Sequence, residues 1–290
     1  MKKIIILIPV FNDWDSFKKL INEINENIKE YKDIKFKCIV VNDASSIHQP
    51  KLIKPDNFDS FEVLNMKENR GHARCIAAGL KHINETKDFD YVIPMDGDGQ
   101  DKPEELSLLI EKIRDYPEAV VTADRVKRPE GFTFKFCYST HKLLTFIFTG
   151  QTIKYGNYTC LPKSIVSELV NEPATWSSFS GSLAKVTKNK KSIPSKKSKR
   201  YYGSSKMNFV DLLKHSLSII SVFKATLLIR STIFLITYLF LVTGKISVIT
   251  LIPVIGVIIM MISVIILSRR EDILDFNNSL ENIQIIDQIK

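Results

Sequence analysis

Between Ala225 and Ser268 the chain is almost wholly apolar, and no other stretch restricts its fold so strongly. The run divides at Gly244-Lys245 into Ala225–Gly244, with one charge at Arg230 near its start, and Ile246–Ser268, with none. At a helical rise of 1.5 Å per residue the second part is about 34 Å long, enough to cross the hydrocarbon of a bilayer. The alternative is a buried core hairpin, but uninterrupted apolar runs of this length are rare in soluble cores. Two transmembrane helices are therefore expected within 225–268. Arg269 and Arg270 follow the second span, against a lone Lys245 in the short connection, which directs both chain ends to the cytoplasmic side. The opening MKKIIILIPV starts like a signal peptide, yet its apolar run is only seven residues and ends in Phe11-Asn12-Asp13 with no small-residue cleavage site. It reads as a buried strand, which keeps the polar first half of the chain in the cytoplasm.

Charge is uneven too. The formal net charge is +9, and eight of the nineteen residues from Lys188 to Lys206 are Lys or Arg, with no acid among them. Nucleic acid is one partner for such a stretch. Its place just ahead of the membrane spans makes anionic headgroups or a phosphate-bearing substrate the more economical one, and a solvated loop accounts for part of the charge. Cys38, Cys75, Cys137 and Cys160 form no C-x-x-C pair and read as reduced packing residues.

The first half alternates short apolar runs with amphipathic ones. Ile4–Ile8, Phe36–Val41, Phe61–Leu64, Tyr91–Met95 and Ala119–Thr122 are strand-like, and Phe17, Leu20, Ile21, Ile24 and Ile28 recur at helical spacing between the first two. This alternation predicts an α/β fold with a mostly parallel sheet, whose ligands gather at the carboxyl ends of the strands. Asn12 and Asp13, Asp43, and the Asp96-Gly97-Asp98 cluster all stand at such ends. In YVIPMDGDGQDKPEEL three aspartates crowd together, as either a solvated turn or the seat of a cation. NRGHARCIAAGL adds a glycine opening a helix, where phosphate is favoured. In it, His72 is either a basic site residue or a surface histidine.

Taken in order, IPVFND (8–13), VVNDAS (40–45), NRGHARCIAAGL (69–80), MDGDGQDKPEE (95–105) and RYYGSSK (200–206) resemble the motifs of the family 2 glycosyltransferases with the GT-A fold. With two carboxy-terminal spans, the likeness is to the branch that acts on polyprenyl and dolichyl phosphate, and it covers about residues 3 to 268. The resemblance implies a Rossmann-like GT-A domain over 1–207, an amphipathic interfacial helix over 208–224, the two spans within 225–268 and a cytoplasmic tail over 269–290. It implies a metal-dependent, inverting transfer of a hexose-type sugar from a nucleotide-diphosphate sugar to polyprenyl (undecaprenyl) phosphate at the cytoplasmic membrane. Asp98 and Asp96 would hold Mg²⁺ or Mn²⁺. Pro9, Asn12, Asp13, Asp43, Gly71, Asp96, Gln100, Arg125 and Arg128 would bind the donor, and Arg200, Ser205 and Lys206 the acceptor phosphate. The implied partners are donor, lipid acceptor and membrane lipids, without nucleic acid; a homo-oligomer is compatible with all of this.

The chain departs from the pattern at YGNYTCLPKS, where nearby members carry an aspartate proposed as a base and this chain has Asn157. A phosphate-monoester acceptor is already largely dianionic at neutral pH, because its second pKa is about 6, so it needs orientation more than deprotonation. Asn157 is then either a catalytic-site residue that positions the acceptor or a turn residue. Two stretches, Phe132–Phe148 and Phe209–Phe223, read as interfacial. A processive polysaccharide synthase is disfavoured because neither Trp14 nor Trp176 lies in a Q-x-x-R-W motif. The remaining alternatives are a membrane glycosyltransferase with another acceptor in cell-surface polysaccharide synthesis and a non-catalytic nucleotide-sugar-binding scaffold.

Overall fold

The computed structural model describes residues 1–127, 143–203 and 209–290. Strands β1 (Lys2–Val10), β2 (Ile34–Asn42), β3 (Ser60–Met66), β4 (Tyr91–Pro94), β5 (Val120–Lys127), β6 (Tyr155–Pro162), β7 (Lys190–Lys196) and β8 (Ile283–Gln288) form one sheet in the order β7-β5-β6-β4-β1-β2-β3-β8. Pairs β1–β2, β1–β4, β2–β3 and β5–β7 are parallel. β6 runs antiparallel to both neighbours, and β8 is antiparallel to β3.

β1 is central, so both its faces must be apolar. Ile4, Ile6 and Ile8 point into a core with α1 (Trp14–Ile28) and α3 (Leu106–Asp115), and Ile5 and Leu7 into a second core with α2 (His72–Thr86), α4 (Lys163–Val170) and α5 (Phe179–Val186). The helical spacing of Phe17, Leu20, Ile21, Ile24 and Ile28 is realised as the buried stripe of α1. Cys38, Cys75 and Cys160 are buried and unbridged, as packing residues should be; Cys137 lies outside the described residues.

Helix α6 (Phe209–Ser221) leads to two apolar helices, α7 (Lys224–Val242) and α8 (Val248–Ser268), each long and apolar enough to cross a membrane. Their side chains are not a protein core: Phe240 is 80% and Ile249 77% exposed. Apolar surface on this scale is stable against lipid, not water. α6 packs along α8, and Ile220, Leu227, Val257 and Val264 share a small core with Phe148. The expected interfacial stretch at 132–148 is described only from 143. There, residues 143–149 are helical and expose Leu143, Leu144, Phe146 and Ile147. The Arg230 guanidinium, from α7, donates to the carbonyl of Ile147 at 3.0 Å.

The segment 269–290, read from sequence as a tail, is part of the domain instead. After α9 (Ile273–Asn277) it returns as β8 on the edge of β3, and Asn65 Nδ2 donates to Asp287 Oδ2 at 2.8 Å. IQIIDQ has the alternation of a strand, but its partner lies far back in the chain, where local pattern gives no sign of it. β8 also covers Glu62 of β3. Burial opposes ionisation of Glu62, yet His82 at 3.8 Å and Lys87 at 2.6 and 2.7 Å outweigh it and hold the carboxyl at about 2, below its ordinary 4.5. A depressed carboxyl stabilises the fold above its unfolded value, and that contribution is lost as pH falls through the folded one. Acid unfolding followed by circular dichroism is expected to lose on the order of 3 kcal/mol between pH 4.5 and 2 from this group. Glu62→Gln should flatten the profile in that window.

Candidate active site

The carboxyl ends of β1, β2 and β4 bring the candidate residues together. Asn12 follows β1 in a left-handed conformation, φ 51°. Its Oδ1 accepts from Ile47 N–H at 2.9 Å, and its own N–H donates to Ser45 Oγ at 2.9 Å, so the loop after β2 is fastened to the end of β1. Pro9 is the second-last position of that strand. Asp43 is buried, 3% exposed, and both its carboxylate oxygens accept backbone amides: Arg70 N–H at 2.8 Å and Gly71 N–H at 2.9 Å. The aspartate thereby ties the β2 end to the loop that opens α2.

The two glycines of the aspartate turn answer different demands. A Cβ on Gly97 would stand 3.0 Å from the Pro9 carbonyl oxygen, so the glycine lets the turn press against β1. Gly99 has φ +80°, and a Cβ there would run into the Tyr201 ring. The segment after β7 lies over this turn: Ser198 N–H donates to Gln100 O at 2.9 Å and Tyr201 N–H to Asp98 O at 3.1 Å.

That segment carries the cations. The Arg200 guanidinium donates to Asp98 Oδ2 at 2.7 Å and also to Asp13 Oδ2, bridging the ends of β1 and β4. Lys197 Nζ is 3.6 Å from Asp96 Oδ2 and donates to Gln100 Oε1 at 3.3 Å. Asp96 Oδ1 also faces His72 Nε2 at 3.0 Å and accepts from Asn157 Nδ2 at 3.1 Å. Burial pushes the Asp96 carboxyl up, but Lys197, His72, Asn157 and Arg125 together hold it below the ordinary range. Burial and then the Asp96 charge push Asp98 up, and the same two causes push Asp101 up. Asp101 Oδ2 accepts the Asp96 N–H at 3.1 Å. The half-buried Asp96 and Asp98 and the buried Asp101 thus sit among cations, chiefly Lys197 and Arg200 from the segment after β7.

Arg125, from β5, packs its guanidinium over Gly156 beside Asn157 and adds positive potential at Asp96 and Asp101. Arg128, Ser205 and Lys206 lie outside the described residues. Arg200, assigned to the acceptor on sequence, stands here on the acids of the cluster. His72, for which the sequence leaves two readings, stands in the cluster with Asn157, whose Nδ2 is 3.2 Å from its ring nitrogen. Lys197 and Tyr201 are site residues to which the sequence assigns no role, whereas Asp101 is the third aspartate of the crowded turn. Lys197 is visible only as one charge of the run from Lys188 to Lys206, and Tyr201 only as a member of RYYGSSK. Asn157→Asp is expected to bring no gain in turnover and to slow it, because a carboxylate would replace an amide donor 3.1 Å from Asp96. Steady-state rates of the variant across pH test this.

Asp96, Asp98 and Asp13 offer oxygen ligands only, the chemistry that hard divalent cations choose. Among the described residues no three acid, histidine or cysteine groups form a ready metal cage. The set fits a cation held by one or two carboxylates whose other ligands are water and substrate phosphate.

Comparison with known proteins bears on the family and the fold. Residues 5–166 match the family Glycosyl transferase family 2. The undecaprenyl-phosphate 4-deoxy-4-formamido-L-arabinose transferase of Salmonella choleraesuis (strain SC-B67) is 24% identical over 220 residues, covering 73% of this chain and 65% of that protein. Its counterpart from Proteus mirabilis (strain HI4320) is 25% identical over 222 residues, covering 73% and 65%. The match therefore spans about 65% of the length of these relatives. Among solved structures, the mannosyltransferase PcManGT from Pyrobaculum calidifontis, in complex with GDP-Man and Mn²⁺, superposes with a TM-score of 0.51 at 13% identity, covering 97% of this chain and 88% of that one. S. aureus TarS 1-349 in complex with UDP-GlcNAc gives 0.52 at 13%, covering 97% and 91%. At such identities the likeness bears on the fold, a mixed, mostly parallel GT-A sheet. The family match extends over more than half of the chain and takes in the strand ends that carry Asp13, Asp43, Asp96 and Asp98, so the chain belongs to glycosyl transferase family 2.

Proposed function

We propose that this protein is an inverting glycosyltransferase that moves a hexose-type sugar from a nucleotide-diphosphate sugar to polyprenyl phosphate on the cytoplasmic face of a membrane. The observation that carries the reading is the joining of Asp13, Asp96 and Asp98 with Lys197 and Arg200 at the strand ends of a domain bearing two exposed apolar helices long enough to cross a membrane. Acids suit the cation side of a diphosphate, and long basic side chains suit a second, phosphate-bearing substrate. Both matched relatives are named for transfer to undecaprenyl phosphate, which supports the acceptor class.

In the reaction, a phosphate oxygen of the acceptor attacks the anomeric carbon. The new carbon–oxygen bond forms as the bond to the donor diphosphate breaks, and the nucleotide diphosphate leaves with the electron pair. The dianionic acceptor needs no base, so Asn157 orients and does not deprotonate. Arg200, Ser205 and Lys206 would hold the acceptor phosphate, while Pro9, Asn12, Asp13, Asp43, Gly71, Gln100, Arg125 and Arg128 would bind the donor. A divalent cation held by Asp96 and Asp98, Mg²⁺ or Mn²⁺, would offset charge on the departing diphosphate. Topology supports one side for both ends of the chain, because β8 pairs in the same sheet as β1 after the two spans.

The test is the full-length protein in membranes with polyprenyl phosphate and a panel of UDP- and GDP-sugars. The panel includes a 4-formamido-pentose donor, since the relatives' sugar is 4-deoxy-4-formamido-L-arabinose. A lipid-linked product with stoichiometric nucleotide release is expected. Transfer only to soluble or protein acceptors would overturn the lipid acceptor, and binding without transfer would leave a scaffold.

A further inference from the structure

Asp275, in the segment that leaves the second span, is wired to the loop that opens α2. Its carboxylate accepts the Trp176 indole N–H at 2.9 Å and the Arg70 guanidinium at 3.2 and 3.3 Å. Arg70 is also the residue whose backbone amide, with that of Gly71, grips the two oxygens of Asp43. Asn69 Nδ2 adds a bond to the Asp43 carbonyl at 3.2 Å. The 69–71 loop is thus held from two sides, through its amides by Asp43 and through a guanidinium by Asp275. Gly71, at φ +91°, gives the loop a backbone that few other residues could share.

We propose that Asp275 is a positioning residue for the donor site, holding Arg70 so that the 69–71 loop and Asp43 receive the nucleoside end of the donor. The inference rests on the reading of Asp43 and Gly71 as donor-binding. Arg70 also pairs with Glu68, whose Oε1 is 2.5 Å from Nη2, but Glu68 is 61% exposed and Asp275 29%, so the less solvated carboxylate of Asp275 is the one that fixes the guanidinium while the Arg70 backbone serves Asp43. Docking of the segment is a separate matter, carried by its neighbour. Phe276 is fully buried and stacks on Trp176 with ring centroids 5.4 Å apart, and Lys81 Nζ donates to the carbonyls of Phe276 and Asn277. Charge and packing therefore sit on adjacent residues and can be removed one at a time. Because only residues 269–272 separate α9 from α8, the same contacts tie the donor loop to the second apolar helix.

The experiment titrates UDP and GDP, separately, into detergent-solubilised full-length wild-type, Asp275→Asn, Arg70→Ala and double-variant proteins. Acceptor KM and the unfolding temperature are measured in parallel. Asp275→Asn keeps the shape and an acceptor for Trp176 but drops the charge, and it is expected to weaken nucleotide binding about tenfold. Acceptor KM and unfolding temperature should stay close to wild type. In the Arg70→Ala background the same substitution should have no further effect, since the two residues act as a unit. Phe276→Ala should instead lower the unfolding temperature. Unchanged nucleotide affinity in Asp275→Asn, or a loss that simply adds to that of Arg70→Ala, would overturn the proposal. So would parallel decline of donor affinity, acceptor KM and stability, the mark of a purely structural residue. If the wild-type protein binds neither nucleotide, the donor-site reading itself fails and takes this inference with it.

Discussion

Asp98→Asn is expected to lower transfer by about 10²–10³-fold while leaving the fold intact. Asp98 is half of a repulsive arrangement, with its carboxyl pushed up by burial and by Asp96. An amide keeps an oxygen acceptor for Gln100 N–H, now 2.9 Å from Oδ1, and relieves the repulsion from Asp96 but gives up the ion pair with Arg200 at 2.7 Å, so the two changes oppose each other and thermal stability should shift little. What disappears is one negative charge for the cation that accompanies the diphosphate. Rates measured against added Mg²⁺ or Mn²⁺, with EDTA as the blank, separate the two effects. Full activity in EDTA, or in the variant, would show that the aspartate turn is only a turn.

Arg200→Ala should reduce transfer to a similar degree, with donor affinity changed by no more than a few-fold. The guanidinium now bridges Asp13 and Asp98, two acids from different strands, and both pairs are only partly exposed to solvent. A divalent cation arriving with the donor would compete for the same carboxylates, and the freed guanidinium would then face the incoming acceptor phosphate. Arg200→Lys should not restore the rate, because a point charge cannot span two partners as a planar fork does. Measuring nucleotide affinity and transfer rate separately decides the assignment. An equal loss of both would move Arg200 from the acceptor to the donor diphosphate.

Much of the site is legible in the sequence because its acids occur in short motifs at strand ends, and strand ends can be located from local hydropathy. Asn12, Asp13, Asp43, Asp96 and Asp98 all stand out on that basis. The run from Lys188 to Lys206 is visible as charge, but which lysine or arginine meets which acid is not. Lys197 and Arg200 are selected by the path of the chain after β7, a strand that polar residues such as Lys190, Lys191 and Ser192 conceal. β6 is hidden differently: YGNYTCLP carries Gly156 and Asn157 at its start, where glycine and asparagine read as turn residues.

The sequence alone determined the two long apolar segments, the α/β alternation and the acids at the sheet's carboxyl edge. Each depends on a period or a composition confined to a few consecutive residues, where backbone geometry and hydrophobicity act directly. Only the tertiary structure decided that Arg200 meets Asp98 across 102 positions and Asp13 across 187, or that Asn65 meets Asp287 across 222. With 41 basic and 32 acidic residues, the chain offers far more possible ion pairs than it forms. Coulomb attraction is not directional enough to choose among them. The choice falls to the close packing of apolar faces, which puts β8 beside β3 and the segment after β7 over the aspartate turn.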